Sequence, residues 1–256
     1  MKISALILTE DGSKFMPETL QRVCGTIFDF IVPRCAVDAC VSFRPTSDNE
    51  RAAMTANSWR SSKSRDQPRL LSLCRSIATH LLRDDGFVFF HFDGDAIWGL
   101  ESSATLTKYD AQIVGKVREI IRGHMQKTRG GDCSAVVDYA MRKLIHIAPF
   151  YSIESWLYAN TTVLRTLCRI SPEVEAHLTA WERDLSELDR AQMPKTLAPI
   201  DTAHHPTLAA KLPINRLVEL GTSFCDTVIR TGNCSSLVIR LRHSWPTYVK
   251  KQFNLA

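Results

Sequence analysis

Phe87-Val88-Phe89-Phe90-His91-Phe92 runs directly into Asp93-Gly94-Asp95. Apart from His91, residues 87–92 are all apolar or aromatic, which is typical of a short strand that is buried on both faces of a parallel sheet. In open parallel sheets, functional groups gather at the carboxyl ends of the strands. This stretch therefore predicts a central strand of an α/β fold, with two carboxylates at the edge where a functional site is expected.

Two further apolar runs end close to acidic residues. Residues 3–8 lead to Glu10, and residues 144–148 are followed by Glu154 after a short turn. Each acid alone also suits a turn or the first turn of a helix. Together they predict a cluster, and clustered carboxylates repel one another unless a hard cation such as Mg²⁺ or Mn²⁺ holds them. The predicted metal ligands are Glu10, Asp93, Asp95 and Glu154.

Helical and strand patterns alternate along the first two thirds of the chain. Their order is β-α-β-α-β-α-β, with residues 36–43 as the second strand. This order predicts a mainly parallel, four-stranded central sheet flanked by helices. We expect a helix from Glu154 through about Arg169, and after Ser171 the pattern is again helical. We therefore expect an α/β domain over residues 1–170 and a helical C-terminal extension with a basic tail over residues 171–256.

Composition limits the class of protein. The chain has 256 residues, of which 45% are hydrophobic and 23% charged, and this is enough for a sizeable core. Its eight cysteines include no CxxC pair, so no zinc site is predicted. The first apolar run is too short for a signal peptide, and no segment approaches the length of a membrane span. We expect a reduced, cytoplasmic protein that does not bind membranes.

Positive charge is concentrated in two segments. The chain carries a net charge of +5, and the segment from Thr227 to Ala256 has basic but no acidic residues. Residues 44–68 are predicted to be a long, serine-rich loop that also contains Arg60, Lys63 and Arg65. Either segment can contact phosphates or can simply be a solvated basic surface.

The order of Glu10, the Asp93-x-Asp95 motif and a late glutamate resembles the Toprim domain. That domain is the metal-binding fold of topoisomerases, primases and overcoming-lysogenization-type nucleases. Residues 153–157 (Ile-Glu-Ser-Trp-Leu) are similar to a segment of small bacterial Toprim-like proteins, several of them linked to phage defence. The resemblance covers residues 3 to 160. It implies Mg²⁺-dependent cleavage of DNA or RNA, in which Glu10, Asp93 and Asp95 hold the ion, Glu154 completes that site or a neighbouring one, and Glu10 and Asp93 are catalytic.

The resemblance also implies a lysine that stabilises the leaving group, and it implies partners. Lys211 is the candidate for this lysine, and Lys14 is nearer in sequence, whereas His204-His205 reads as a polar loop. The chain departs from the family because Asp11 separates Glu10 from a glycine and Lys14 replaces a later acid. It has no P-loop, so a regulatory ATPase subunit would be a separate partner in an anti-phage or toxin system. A homo-oligomer is also compatible with the sequence.

Three other functions explain part of the pattern. A haloacid-dehalogenase-type phosphatase also has an Asp-x-Asp motif after an apolar strand, but here Ile97 replaces the expected threonine or valine. A nucleotide-sugar transferase with Mn²⁺ leaves Glu10 and Glu154 unexplained. A non-catalytic binding or regulatory subunit would keep the fold and use the basic C-terminus to bind its partner.

Overall fold

The sheet has four strands that are all parallel, in the order β2-β1-β3-β4. A computed structural model describes residues 2–61, 63–97, 101–167, 170–219 and 223–242. The prediction of an α/β fold with a four-stranded parallel sheet flanked by helices is confirmed. The strands are β1 (Ile3–Thr9), β2 (Val41–Arg44), β3 (Gly86–His91) and β4 (Leu144–Ile147).

Strand β3 lies inside the sheet and is buried along its whole length. Its side chains alternate between two hydrophobic cores: Phe87 and Phe89 belong to the first, and Val88 and Phe90 to the second. A strand buried on both faces needs apolar residues at successive positions, and this is why the run has no polar alternation.

Within the described residues, fifteen helices surround the sheet, not counting the helical residues 235–242. The first seven are α1 (Met16–Ile31), α2 (Val37–Cys40), α3 (Asp48–Thr55), α4 (Gln67–Leu82), α5 (Ala104–Tyr109), α6 (Lys116–Arg129) and α7 (Ser134–Met141). The others are α8 (Glu154–Leu157), α9 (Thr161–Leu167), α10 (Pro172–Arg183), α11 (Leu185–Asp189), α12 (Pro194–Leu197), α13 (His205–Ala209), α14 (Ile214–Glu219) and α15 (Ser223–Asn233). Residues 235–242 are also helical, and a π-helical turn (Asp110–Gly115) joins α5 to α6.

The helices divide between the two faces of the sheet. Helices α3, α4, α6 and α7 contribute to the second core. Helix α1 and the helices from α8 onward contribute to the first core, together with strand residues such as Phe89 and Ile147. The region after residue 171 therefore packs on the same core as the sheet, and its division into a separate domain stays a prediction. No helix within the described residues is long and apolar enough to cross a membrane.

Three local predictions need correction. Residues 37–40 form helix α2, so the second strand begins only at Val41. Residues 44–68 are not one long loop, because Ser47 and Glu50 form a capping box that starts α3. The helix expected from Glu154 to about residue 169 is divided into α8 and α9. In the basic tail, Arg230 pairs with Asp226 at 2.6 Å, and Lys250 and Lys251 lie outside the described residues.

Candidate active site

Glu10 lies directly after β1 and connects the ends of two strands. Its Oε1 accepts hydrogen bonds from the Asp93 backbone N–H at 3.0 Å and from Arg60 Nη2 at 2.7 Å. Its Oε2 is buried and has no hydrogen-bond partner among the described residues. Burial raises the pKa of Glu10, and the Arg60 charge and the Asp93 N–H only partly oppose this effect. Glu10 therefore has one oxygen that is already bound and one that is available for a further cation.

Asp93 lies at the carboxyl end of the β3 run, next to the other acids. Its Oδ1 accepts a hydrogen bond from the Ile153 backbone N–H at 3.2 Å. Burial, followed by the charges of Glu154 and Glu10, raises the pKa of Asp93 to about 7. The side chain is recessed among these groups, yet 42% of its surface remains exposed. Asp93 is thus a crowded carboxyl group that solvent can reach.

His91 lies beneath Asp93 and was not predicted as part of the site. Its ring is fully buried, with Nδ1 2.9 Å from Thr9 Oγ1 and Nε2 3.7 Å from Asp93 Oδ1. Burial lowers the pKa of His91 to about 4, so the ring is neutral near pH 7. The sequence signal for this residue was a single histidine in an otherwise apolar strand, two positions before Asp93.

Glu154 is the first residue of α8 and is only 4% exposed. Its Oε2 accepts a hydrogen bond from the Ser152 hydroxyl. Its charge acts on Asp93 and also on His205, which is buried rather than part of a polar loop as predicted. Burial lowers the pKa of His205, although the Glu154 and Asp11 charges oppose this effect. The charges of Glu154 and Glu10 both act on Asp93, so Asp93 lies near both acids, while the role of these residues as metal ligands stays a prediction.

Asp95 does not join this group. Its Oδ1 accepts a hydrogen bond from the Ser103 hydroxyl at 2.5 Å, and its Oδ2 accepts one from the Thr105 backbone N–H at 3.1 Å. Burial raises the pKa of Asp95, but these hydrogen bonds outweigh it and lower the pKa overall. Both oxygens support the start of α5, and the role of Asp95 as a metal ligand stays a prediction.

Neither candidate lysine contacts the carboxylates. Lys211 is exposed. Its backbone carbonyl accepts a hydrogen bond from Asn160 at 2.5 Å, and its backbone N–H donates to Leu208 at 3.1 Å. Lys14 is also exposed, and its Nζ lies 4.9 Å from the centre of the Phe15 ring. The predicted role of Lys211 in stabilising a leaving group has no support from these contacts.

Arg60 is the cation that the structure places at the carboxylates. Its Nη2 donates both to Glu10 Oε1 and to the Asp93 backbone carbonyl, each at 2.7 Å. Its guanidinium stacks 4.9 Å from the centre of the Trp59 ring. Trp59 is fully buried and packs on Phe92, with ring centres 5.3 Å apart. The buried tryptophan holds the Arg60 side chain in place. In the sequence, the signal for this arrangement was a Trp-Arg pair within a serine-rich stretch.

No model of a known protein family matches this chain, and no curated protein or solved structure matches it either. The function therefore has to be argued from the site itself.

The donor set fits a divalent cation only in part. Within the described residues, no three or more His, Cys, Asp or Glu side chains are arranged so that they could hold a metal ion. Glu10 Oε2 nevertheless lacks a partner in a buried position, and Asp93 presents a partly exposed carboxyl group beside it. Carboxylate oxygens are the ligands that Mg²⁺ and Mn²⁺ prefer. Glu10 and Asp93 fit such an ion, whereas both oxygens of Asp95 already accept hydrogen bonds at the start of α5.

Proposed function

We propose that this chain is a divalent-metal-dependent phosphodiesterase that cleaves nucleic acid, as its resemblance to the Toprim domain implies. The observation that supports this proposal is the crowding of Asp93 by Glu10 and Glu154 at the carboxyl edge of a parallel sheet. Carboxylates that repel one another at an exposed edge are stabilised by a divalent cation, and this edge is where α/β proteins bind their ligands.

The roles of the individual residues follow from their contacts. Glu10 and Asp93 would hold the ion, which when bound would polarise a phosphate oxygen and lower the pKa of a bound water. The Ile153 N–H orients Asp93 through its Oδ1, and the neutral ring of His91 lies beneath it. The charge of Glu154 acts on Asp93 and raises its pKa, second to burial. Arg60 presents N–H donors at the same edge, where they can bind a phosphate oxygen.

The proposal is tested with supercoiled plasmid and with RNA in the presence of Mg²⁺ or Mn²⁺. Asp93→Asn is the informative variant, because the amide oxygen can still accept the Ile153 hydrogen bond while the charge is lost. We expect it to lower the cleavage rate by about 100-fold or more. Cleavage that persists in EDTA, or that is equal in wild type and Asp93→Asn, would overturn the proposal and would point to a contaminating nuclease.

Two observations favour a second candidate, a non-catalytic binding subunit with the same fold. The Arg60 guanidinium already neutralises Glu10, and no three-ligand group lies within the described residues. In this role the edge would need no metal, and the chain would bind nucleic acid or another partner without cleaving it. Binding of plasmid or RNA by the wild-type protein, with no cleavage in Mg²⁺ or Mn²⁺, would favour this candidate.

A further inference from the structure

A basic depression of about 690 Å³ lies next to the carboxylates. It is formed by the segment between the end of α3 and the first turn of α4. We define the basic depression by its lining residues, which are Ala56, Asn57, Arg60, Ser61, Lys63, Arg65, Asp66 and Arg69. Four of these are cationic and one is acidic, so the lining has a net charge of +3. Lys63, Arg65 and Arg69 are all exposed.

The lining identifies the kind of ligand. It contains cations, an amide and a hydroxyl but no aromatic side chain, because Trp59 is buried beneath the surface. Proteins that grip single-stranded bases use exposed aromatic platforms, whereas contacts to the phosphate backbone need cations and N–H or O–H donors. This surface therefore fits the phosphates of a nucleic-acid backbone, and such contacts do not distinguish one base sequence from another.

Arg60 belongs both to the basic depression and to the carboxylate site. Its Nη2 binds Glu10 and the Asp93 carbonyl, while its Nε is buried without a hydrogen-bond partner among the described residues. The guanidinium side chain is 29% exposed, so it reaches the depression from the position in which it holds Glu10. A phosphate bound in the depression would compete with Glu10 for the same guanidinium.

We propose that the basic depression binds the phosphate backbone of a nucleic-acid duplex, and that Arg60 moves from Glu10 to a phosphate when it does. In the free protein Arg60 keeps Glu10 neutralised. Binding of the duplex releases Glu10, so that the cation site is completed only when a substrate is present. This inference rests on the proposed function for its purpose, but the binding and the exchange of Arg60 are measurable without cleavage.

The first experiment measures duplex binding in EDTA by fluorescence anisotropy over a range of salt concentrations. The variant Lys63→Gln/Arg65→Gln/Arg69→Gln removes three cations from the depression. It should lower affinity by about 10- to 100-fold and should reduce the slope of log K against log salt by about 2.7. Equal binding by this variant and the wild type would overturn the proposal, as would failure of the wild type to bind.

A matched control removes the same charge from another part of the surface. Arg122, Lys127 and Arg129 are exposed on α6, and the end of α6 packs near Leu82, at the opposite end of α4 from Arg69. The triple glutamine variant at these positions should bind the duplex almost as the wild type does. If both triple variants lose the same affinity, the binding depends on net charge alone and the depression is not a site.

The second experiment tests the exchange of Arg60 by a double-mutant cycle, also in EDTA. Glu10→Gln should tighten duplex binding by about fivefold, because it frees Arg60 for a phosphate. In an Arg60→Gln background the same change should have little effect. An equal gain in both backgrounds would mean that Glu10 acts only by long-range repulsion, and the exchange would be refuted.

A third measurement uses the metal alone. Mn²⁺ binding to the free protein, followed by the loss of the electron paramagnetic resonance signal of free Mn²⁺, should be about tenfold tighter in Arg60→Gln than in the wild type. Arg69→Gln, which removes a charge from the same depression without touching Glu10, should bind Mn²⁺ almost as the wild type does. Unchanged or weaker binding in Arg60→Gln would refute the role of Arg60 in blocking the ion.

The inference and the proposed function can fail separately. Duplex binding that depends on the depression, without any metal-dependent cleavage, would refute the nuclease and leave the inference intact. Cleavage that survives in the Lys63, Arg65 and Arg69 triple variant at the wild-type rate and affinity would refute the inference and leave the nuclease intact.

Discussion

Asp93 and Asp95 are two positions apart in the sequence but have opposite environments. Burial, followed by the charges of neighbouring acids, raises the pKa of Asp93, whereas for Asp95 hydrogen bonds from Ser103 and Thr105 outweigh burial and lower the pKa. We expect Asp95→Ala to lower the free energy of unfolding by about 1–2 kcal/mol, since two hydrogen bonds at the start of α5 are lost. Urea denaturation measures this change. A folded Asp95→Ala protein that has lost all metal-dependent cleavage would show instead that Asp95 is a ligand.

His146 on β4 gives a pH-dependent prediction at the same scale. It packs against Tyr109, with ring centres 5.3 Å apart, and burial lowers its pKa to about 4. The unfolded chain binds a proton at the ordinary histidine pKa, so His146 contributes stability above about pH 6.5 that is lost as the pH falls toward 4. Relative to His146→Phe, the wild type should lose about 3 kcal/mol over this range. Parallel stability curves for the two proteins would contradict the prediction.

At the scale of elements, Gly86 fixes how α4 leads into β3. A Cβ atom at this position would lie 1.9 Å from the His80 carbonyl oxygen, at the end of α4. We expect Gly86→Ala to lower the free energy of unfolding by about 3 kcal/mol or more, because the backbone of the turn would have to move. Gly123→Ala in α6 is the control, since nothing lies within 4 Å of its added Cβ, and it should stabilise by about 0.5–1 kcal/mol. Similar effects at both positions would contradict this explanation.

The elements that the sequence predicts well are those with a local signal. The apolar runs at β1, β3 and β4 predict the sheet. Because parallel strands share a direction, they also predict that Glu10, Asp93 and Glu154 follow the same edge of it. The residues that it misses depend on distant contacts: Arg60 reaches Glu10 across 50 positions. The opposite roles of Asp93 and Asp95 likewise depend on Ser103 and Ile153, which no pattern within the Asp-Gly-Asp motif reveals.

At the scale of the whole molecule, the helices after residue 171 complete one face of the sheet. Trp156 donates from Nε1 to Ser223 Oγ at 2.7 Å, and its ring packs 5.1 Å from that of Phe224. Asp189 accepts hydrogen bonds from the backbone N–H and the hydroxyl of Ser223, each at 2.7 Å. Buried polar groups that satisfy one another in this way tie α8, α11 and α15 together, close to Glu154.

This shared core predicts that residues 1–170 do not fold alone. Removing the later helices would expose Trp156 and Leu157, which are fully buried in the whole chain. We expect the truncated chain to bind a hydrophobic dye and to unfold without a cooperative transition, because one face of its sheet keeps only part of its cover. In the full chain, Phe224→Ala should lower the free energy of unfolding by about 3–5 kcal/mol in a single transition. A truncated chain that unfolds cooperatively would show that the boundary at residue 170 separates two domains, as the sequence predicts.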